Sequence, residues 1–377
     1  MKVINNGKAH IQKIHEAAMQ QPLNKVSELV VDTAIELVRT DNGRLRFVDY
    51  TGKKLVPGAI RGALEEKPEL AVRKFGECIV GQVAVEKVPI KENVVQDNPY
   101  FKTFKEKVRN RGKNDINWKK YHDETLEHIG SEIAVPVLAG NTLLGVLNVN
   151  TPRKDAFEDS DKHLLCTFAS EIAVAFLQRS TTILEEIFKI QEEMISVFEL
   201  EEVAQHIADG IRKMVEGSIP NIFLFDENCE EKNTSPFQFL ASAGASEEER
   251  ALGAFEPRKE GRGMEAIKNF KKGEDAFVVV EDVQKKDKKG SPNAREKGIK
   301  TTGCLPLVFR GMVVGVLYLH FFKERHFFTI EEKNILQMFA ISAAIAIKNA
   351  TMLQTYVELF GNGLIKQLEE FESKDIR

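Results

Sequence analysis

Ser131 to Phe176 reads SEIAVPVLAGNTLLGVLNVNTPRKDAFEDSDKHLLCTFASEIAVAF. Ile133 to Leu138 runs apolar, as a strand does, and Gly140-Asn141 follows as a hairpin signal. A second strand is expected over Leu143 to Val149, then a polar loop to Phe157. Asp159 and Ser160 can cap a helix beginning near Asp161. That helix carries Leu164, Leu165, Phe168, Ile172, Ala175 and Phe176 at spacings that give one buried face.

The pattern recurs. Gly303 to Asn349 reads GCLPLVFRGMVVGVLYLHFFKERHFFTIEEKNILQMFAISAAIAIKN. Pro136 matches Pro306 and Gly145 matches Gly315, each pair 170 positions apart (306 − 136; 315 − 145). After one inserted residue, Phe157 matches Phe328, Asp161 matches Glu332 and Phe168-Ala169 matches Phe339-Ala340. A period this long is a duplicated domain rather than a solenoid repeat. Upstream, Gly76 matches Gly261 and Val94 to Asp97 match Val279 to Asp282, 185 positions apart (261 − 76; 282 − 97).

A strand, a tight turn, a second strand, a loop ending in Phe, an acidic residue and an Ala-rich apolar helix together resemble the C-terminal half of GAF domains. The resemblance covers both halves of the chain. It implies an α+β fold: two domains, each a central antiparallel sheet of five or six strands flanked by helices (an α/β sandwich), joined by a long helix. It does not specify a ligand, because the family binds many.

Composition agrees with two domains. The chain has 377 residues, of which 42% are hydrophobic, enough for two cores. A net charge of −4 speaks against general nucleic-acid binding, which calls for a strong basic excess. No run of ~18 apolar residues is evident, so no membrane span is expected. MKVINNGKAHIQKIHEAAMQ lacks a signal-peptide core, and the location expected is the cytoplasm. Cys78, Cys166, Cys229 and Cys304 form no CxxC pair or zinc spacing and are expected to be reduced.

Five segments are expected: a helical stretch over residues 1–24, a first domain over 25–180, a connecting helix over 181–198, a second domain over 199–350 and a terminal helix over 351–377. The stretch before residue 38 reads as one or two helices broken at Pro22, the first being either a frayed end or a helix for a partner subunit. Asp41-Asn42-Gly43 is expected to end it and lead into a strand over Arg44 to Val48. Gly76 to Gly81 opens a short helix, and Glu92 to Val95 reads as a strand ending at Asp97. The first copy then has 15 extra residues (39 positions from Asp97 to Pro136 against 24 from Asp282 to Pro306), within Tyr100 to His128. This segment holds Trp118, Tyr121, His122 and eight lysines and arginines. It reads either as a lid over an anionic or aromatic ligand, or as a helix docked through Phe101, Phe104 and Val108.

The helix from Asp161 continues to about Val197, with Leu184, Ile187, Gln191, Met194 and Phe198 at coiled-coil spacing. It would span roughly 50 Å as a rod. Ala346, Ala350, Leu353, Val357, Phe360, Leu364, Gln367 and Phe371 repeat the rhythm, with Gly361 and Gly363 as a point of breakage. Both seams point to a parallel homodimer.

No phosphate loop, dinucleotide fingerprint or HExxH is present. Within the resembled family, free methionine-sulfoxide reductases carry a cysteine just before the glycine of a GxGVCG turn and another upstream of a SEIVVP strand. Here Val80 precedes Gly81, with Cys78 two places earlier, and His128-Ile129-Gly130 stands where the second thiol would be. The pocket acids of that group fall on Glu132, Asn148 and Asn150. The cyclic-nucleotide signature is met at Asn150, Phe157 and Asp161, but Thr151 and Lys162 replace its Lys and Glu. No Cys-His pair exists for bilin attachment.

The reading is therefore a non-catalytic, cytoplasmic, homodimeric sensor of a small molecule. With only about 27 residues after the second core helix, it is expected to relay its signal to a partner protein or to form part of a longer signalling chain. A scaffold with empty pockets is the alternative, and a cyclic-nucleotide regulator a lesser one. No cofactor is specified. The candidate ligand-binding residues are Asp97, Trp118, Glu132, Asn148 and Asn150 in the first domain and Tyr318 and His320 in the second. Asn148 and Asn150 alternate onto one strand face beside Glu132, and a polar or aminated molecule is the expected ligand.

Overall fold

The computed structural model describes residues 2–62, 71–111, 129–195, 199–227, 235–244, 261–284 and 292–372, with Cys229 and Glu247. Trp118, Tyr121 and His122 lie outside these residues, as do the side chains of Gln191, Met194, Phe198 and Phe360. The chain divides into two compact units, Met1–Thr182 with Phe327–Glu332 and Ile183–His326 with Lys333–Arg377.

The first unit opens with α1 (Lys2–Gln20) and α2 (Leu23–Val38), separated at Pro22, whose fixed φ of −57° and missing N–H suit a helix start. Ile14, Ala17 and Ala18 of α1 are buried, so this part of α1 packs within its own unit and is not frayed. α2 ends on Arg39 in the left-handed conformation (φ 52°), not on Asp41-Asn42-Gly43. Gly43 instead serves packing. A Cβ there would lie 3.0 Å from Val31 and Ile35, so its absence lets α2 seat on the strand that follows.

That strand is β1 (Asn42–Val48), followed by β2 (Lys54–Arg61), β3 (Arg73–Lys74), α3 (Cys78–Glu86), β4 (Ile90–Glu92), α4 (Pro99–Arg111), β5 (Ser131–Ala139), β6 (Thr142–Thr151) and α5 (Asp159–Ile195). The sheet is antiparallel, in the order β3-β2-β1-β6-β5-β4. The strand expected over Glu92 to Val95 ends early: a 3-10 turn at Val95–Asp97 replaces it, tied by the Val95 amide to the Gly130 carbonyl at 3.0 Å. One sheet face, with Leu45, Phe47, Ile133, Val135, Leu147 and Val149, packs against α1, α2 and α5. The other, with Val48, Ala134 and Val146, packs against α3 and α4. Phe101, Phe104 and Val108 of α4 are buried there, which is the docked-helix reading of that segment.

The second unit repeats the frame. It takes the end of α5, then α6 (Leu200–Met214), β7 (Ile219–Phe225), β8 (Phe237–Ser242), α7 (Arg262–Lys271), β9 (Val278–Val280), α8 (Pro292–Glu296), β10 (Thr301–Phe309), β11 (Met312–Phe321) and, from Lys333 onward, α9 (Ile330–Glu372). Its strands run β8-β7-β11-β10-β9. The fold class is α+β, with antiparallel sheets of six and five strands among the described residues.

Even the irregularities are duplicated. Bulges fall between Val137 and Leu138 and between Leu307 and Val308, 170 apart (307 − 137), and between Leu45/Arg46 and Ile222/Phe223, 177 apart (222 − 45). A Cβ on Gly145 would lie 2.2 Å from the Arg46 carbonyl oxygen, and one on Gly315 would lie 2.5 Å from that of Phe223. The two strands approach too closely there for any side chain, so both copies carry glycine.

Two expectations about helices change. α9 runs unbroken through Gly361 and Gly363: each glycine costs about 1 kcal/mol against alanine, too little to break a helix of 43 residues. Its part Ile330–Val357 is also long and apolar enough to cross a membrane by length and composition, contrary to the sequence reading. The buried Leu336, Phe339, Ala343, Ala344 and Ile347 account for much of that apolar character as domain core.

Candidate functional site

The face of the first sheet that meets α3 and α4 begins apolar and ends polar. Alternation puts Arg44 and Arg46 on this face with Val48, Asn148 and Asn150 with Val146, and Glu132 with Ala134. Pairing then brings them together: Arg44 lies opposite Asn148, and Glu132 lies opposite Asn150. Arg73 joins from β3. All six side chains are buried, none more than 6% exposed.

A chain of hydrogen bonds links them. Arg46 donates through Nη1 to Asn148 Oδ1 at 2.8 Å, and Asn148 Nδ2 donates to Glu132 Oε1, also at 2.8 Å. Arg46 Nε donates to the Ala71 carbonyl at 3.1 Å. The Arg73 guanidinium sits over the Phe104 ring, 5.2 Å from its centroid. Burial holds the Glu132 carboxyl above its ordinary range, against the pull of Arg44 and Arg46, the Asn148 hydrogen bond and Arg73. Cys78, the first residue of α3, is buried at a left-handed φ of 55°. Burial pushes its thiol up despite Arg73 nearby.

Of the candidates read from sequence, Glu132, Asn148 and Asn150 converge. Asp97 does not: its side chain is 78% exposed and lies 3.8 Å from Lys102, because the 3-10 turn carries it away from the sheet. Trp118 lies outside the described residues. Arg44, Arg46 and Arg73 were not among the candidates. The signal for Arg44 and Arg46 in the sequence is Arg44-Leu45-Arg46-Phe47, whose alternation sets both arginines against the apolar side. An open cleft of about 260 Å³, lined by Gln96, Lys105, Ile129, Gly130, Pro152 and Lys154, contains none of the candidates.

In the second unit the strand registers assign each position its counterpart. Arg44 becomes Asn221, Arg46 becomes Phe223, Glu132 becomes Thr302, Asn148 becomes Tyr318 and Asn150 becomes His320. Every charge is gone. Phe223 meets Tyr318 edge-on at 5.8 Å, and Tyr318 stacks on His320 at 5.5 Å. The Gly263 amide donates to Tyr318 Oη at 2.7 Å, and a Cβ on Gly263 would lie 2.6 Å from that oxygen. His320 Nδ1 shares a 2.9 Å hydrogen bond with Thr302 Oγ1, and burial pushes the imidazole down to about 3. Tyr318 and His320 thus come together as packing. Among the described residues no group of three metal-ligating side chains forms.

A GAF domain model matches residues 20–176, and a second GAF domain model matches residues 199–347. A comparison with curated proteins gives no match. Among solved structures, the GAF domain of a phosphoenolpyruvate-protein phosphotransferase from Coxiella burnetii is 19% identical, with a TM-score of 0.37, over 47% of this chain and 96% of that one. Free methionine-R-sulfoxide reductase from Neisseria meningitidis is 16% identical, with a TM-score of 0.36, over 46% and 90%. A GAF domain/HD domain protein from Geobacter sulfurreducens is 16% identical, with a TM-score of 0.34, over 42% and 98%. With two domain models matching in succession and the same frame built twice, the chain belongs to the GAF domain family as a tandem of two such domains.

Proposed function

We propose that this protein is a cytoplasmic regulatory sensor with no catalysis of its own, in which the first GAF domain binds a small molecule and the helices α5 and α9 of a homodimer relay its presence to a partner protein. The observation that carries the reading is the buried chain Arg46–Asn148–Glu132, which occupies one sheet face of the first domain. A fold that packs this face with aromatic rings in its second copy has no need of such a chain for its own closure. Buried polar groups cost stability unless satisfied, and a ligand face is where that cost is repaid. The scaffold reading draws on the second domain, where Phe223, Phe237 and Tyr318 fill the equivalent space.

Absence of catalysis is supported by the thiols. Cys78 and Cys304 are buried, and burial raises both, as it does for the partly buried Cys166. A thiolate is the nucleophile in sulfoxide chemistry, and these sites disfavour it. Purified protein should turn over neither free methionine sulfoxide nor cyclic nucleotides. Turnover that disappears in Cys78→Ser would overturn this point.

The dimer proposal rests on α9. Ile187 of the first seam is only 2% exposed within the single chain, so it is not available to a partner. In α9, Met338, Ile341, Ile345, Met352 and Tyr356 are exposed at spacings of three and four or their sum, joined by Leu353 and Val357. Leaving such a stripe in water is unfavourable at ~25 cal/mol per Å² of apolar surface. Native mass spectrometry of the full chain tests ligand and subunit count together. A twofold mass carrying a retained small molecule is the expected spectrum; a ligand-free monomer would remove the proposal.

A further inference from the structure

We infer that the ligand of the first domain carries an anionic group, a carboxylate or a phosphate, received by Arg44, Arg46 and Arg73; the inference rests on the sensor reading above and names its ligand class. Three guanidiniums, 5%, 2% and 6% exposed, gather around Glu132; Glu92, its cross-strand neighbour on β4, instead accepts from the Val94 amide and the Asn98 side chain. Glu132 already accepts from Asn148 through Oε1, so part of its capacity is spent. Arginine stays charged at any pH a folded protein meets, and its planar fork matches the two oxygens of a carboxylate or phosphate. Each arginine also has contacts inside the protein, and each guanidinium has five N–H donors with which to take a further acceptor.

The duplicate is the control. At the positions of Arg44 and Arg46, reached through the same registers and the same bulge, the second domain has Asn221 and Phe223, and its five described strands pair without them. The frame therefore does not require buried cations. In place of aromatic packing the first domain has concentrated positive charge on one sheet face, beside the apolar floor of Val48, Ala134 and Val146. That combination suits a small organic anion whose body lies on the apolar part and whose charge meets the guanidiniums. Of the polar or aminated ligand expected from the sequence it keeps the polar part and sets aside the amine, which would face three guanidiniums.

The test is calorimetric titration of the full chain with inorganic phosphate and, separately, malonate, at constant ionic strength set with sodium chloride. Ethylenediamine serves as the cationic probe. One site per chain for phosphate or malonate and none for the diamine is expected, and the better of the two anions tells phosphate from carboxylate. Arg73→Gln should weaken binding at least tenfold, with Arg73→Lys in between because it keeps the charge and loses the fork. Glu132→Gln should tighten binding several-fold by removing the cluster's repulsive group, whereas His320→Gln should leave it unchanged. Glu132→Gln weakening the anion as much as Arg73→Gln would overturn the inference. A retained ligand that proves neutral or cationic would also overturn it while leaving the sensor standing; no retained ligand and no anion binding would end both.

Discussion

The two domains share a backbone and differ in what they do with it. β1 and β7 pair, bulge and approach a glycine in the same way, yet Arg44, Arg46, Glu132, Asn148 and Asn150 stand where the second domain has Asn221, Phe223, Thr302, Tyr318 and His320. The contrast separates what the fold demands from what a particular domain adds. Glycines, bulges and the apolar face toward the helices recur because the chain cannot close without them. The charged cluster does not recur, and the second sheet pairs without it.

Exchanging residues across the pair is the most direct way to break this comparison. Phe223→Arg would bury a guanidinium among Phe237, Tyr318 and Ala266 with no prepared partners. It should cost the second domain at least ~4 kcal/mol in denaturant unfolding, in the range reserved for unpaired buried charge. A cost below ~1 kcal/mol would show that both sites tolerate charge and that the contrast is accidental. Asn148→Leu should have the next largest effect, because it strands Glu132 Oε1 and an Arg46 N–H at once. A loss of about 2–3 kcal/mol is expected in the first domain, along with weaker ligand binding.

Acid sharpens the contrast, because the two domains should respond with opposite signs. His320 is pushed from 6.5 to about 3 by burial, so the unfolded chain takes up a proton that the folded second domain refuses. Its stabilising contribution is present above pH 6.5 and is lost as pH falls toward 3; between 6.5 and 5 the loss is about 2 kcal/mol. Glu132 is raised from 4.5, so the folded first domain holds a proton that the unfolded chain has released. Its contribution is complete below 4.5 and is lost as pH rises through the folded value. Melting curves across this range should show the second transition falling with acid, and His320→Gln should flatten that slope. The smallest effect on stability is expected on α9. Ile341, Ile345 and Met352 changed together to Lys should alter unfolding by no more than ~0.5 kcal/mol per site while light scattering falls from dimer to monomer mass.

Much of the frame was legible because its signals are local. Gly140-Asn141 marks the first hairpin, whose two-residue turn has Gly140 at φ 59°, and the duplicated pattern carries the second, where Arg310 and Gly311 are both at positive φ. The apolar periodicity of α5 and α9 carried their length. The cluster was only half legible, since Arg46 meets Asn148 across 102 positions and Arg73 arrives on a two-residue strand that no periodicity announces. Asp97 was misplaced for a related reason: a short apolar run looks like strand until the pairing edge is known, and β5 pairs only as far as Glu92.

α5 is one uninterrupted helix whose beginning belongs to the first unit and whose end belongs to the second. Such an element has an angular phase as well as a length. Each residue inserted near Thr182 would turn everything downstream by about 100° about the helix axis. One extra residue should therefore silence a relay that depends on this helix, four should restore part of it at about 40° out of register, and seven should nearly recover it at about 20°. Response plotted against inserted length would then oscillate with the helical repeat, whereas a slack tether would give a curve without a period.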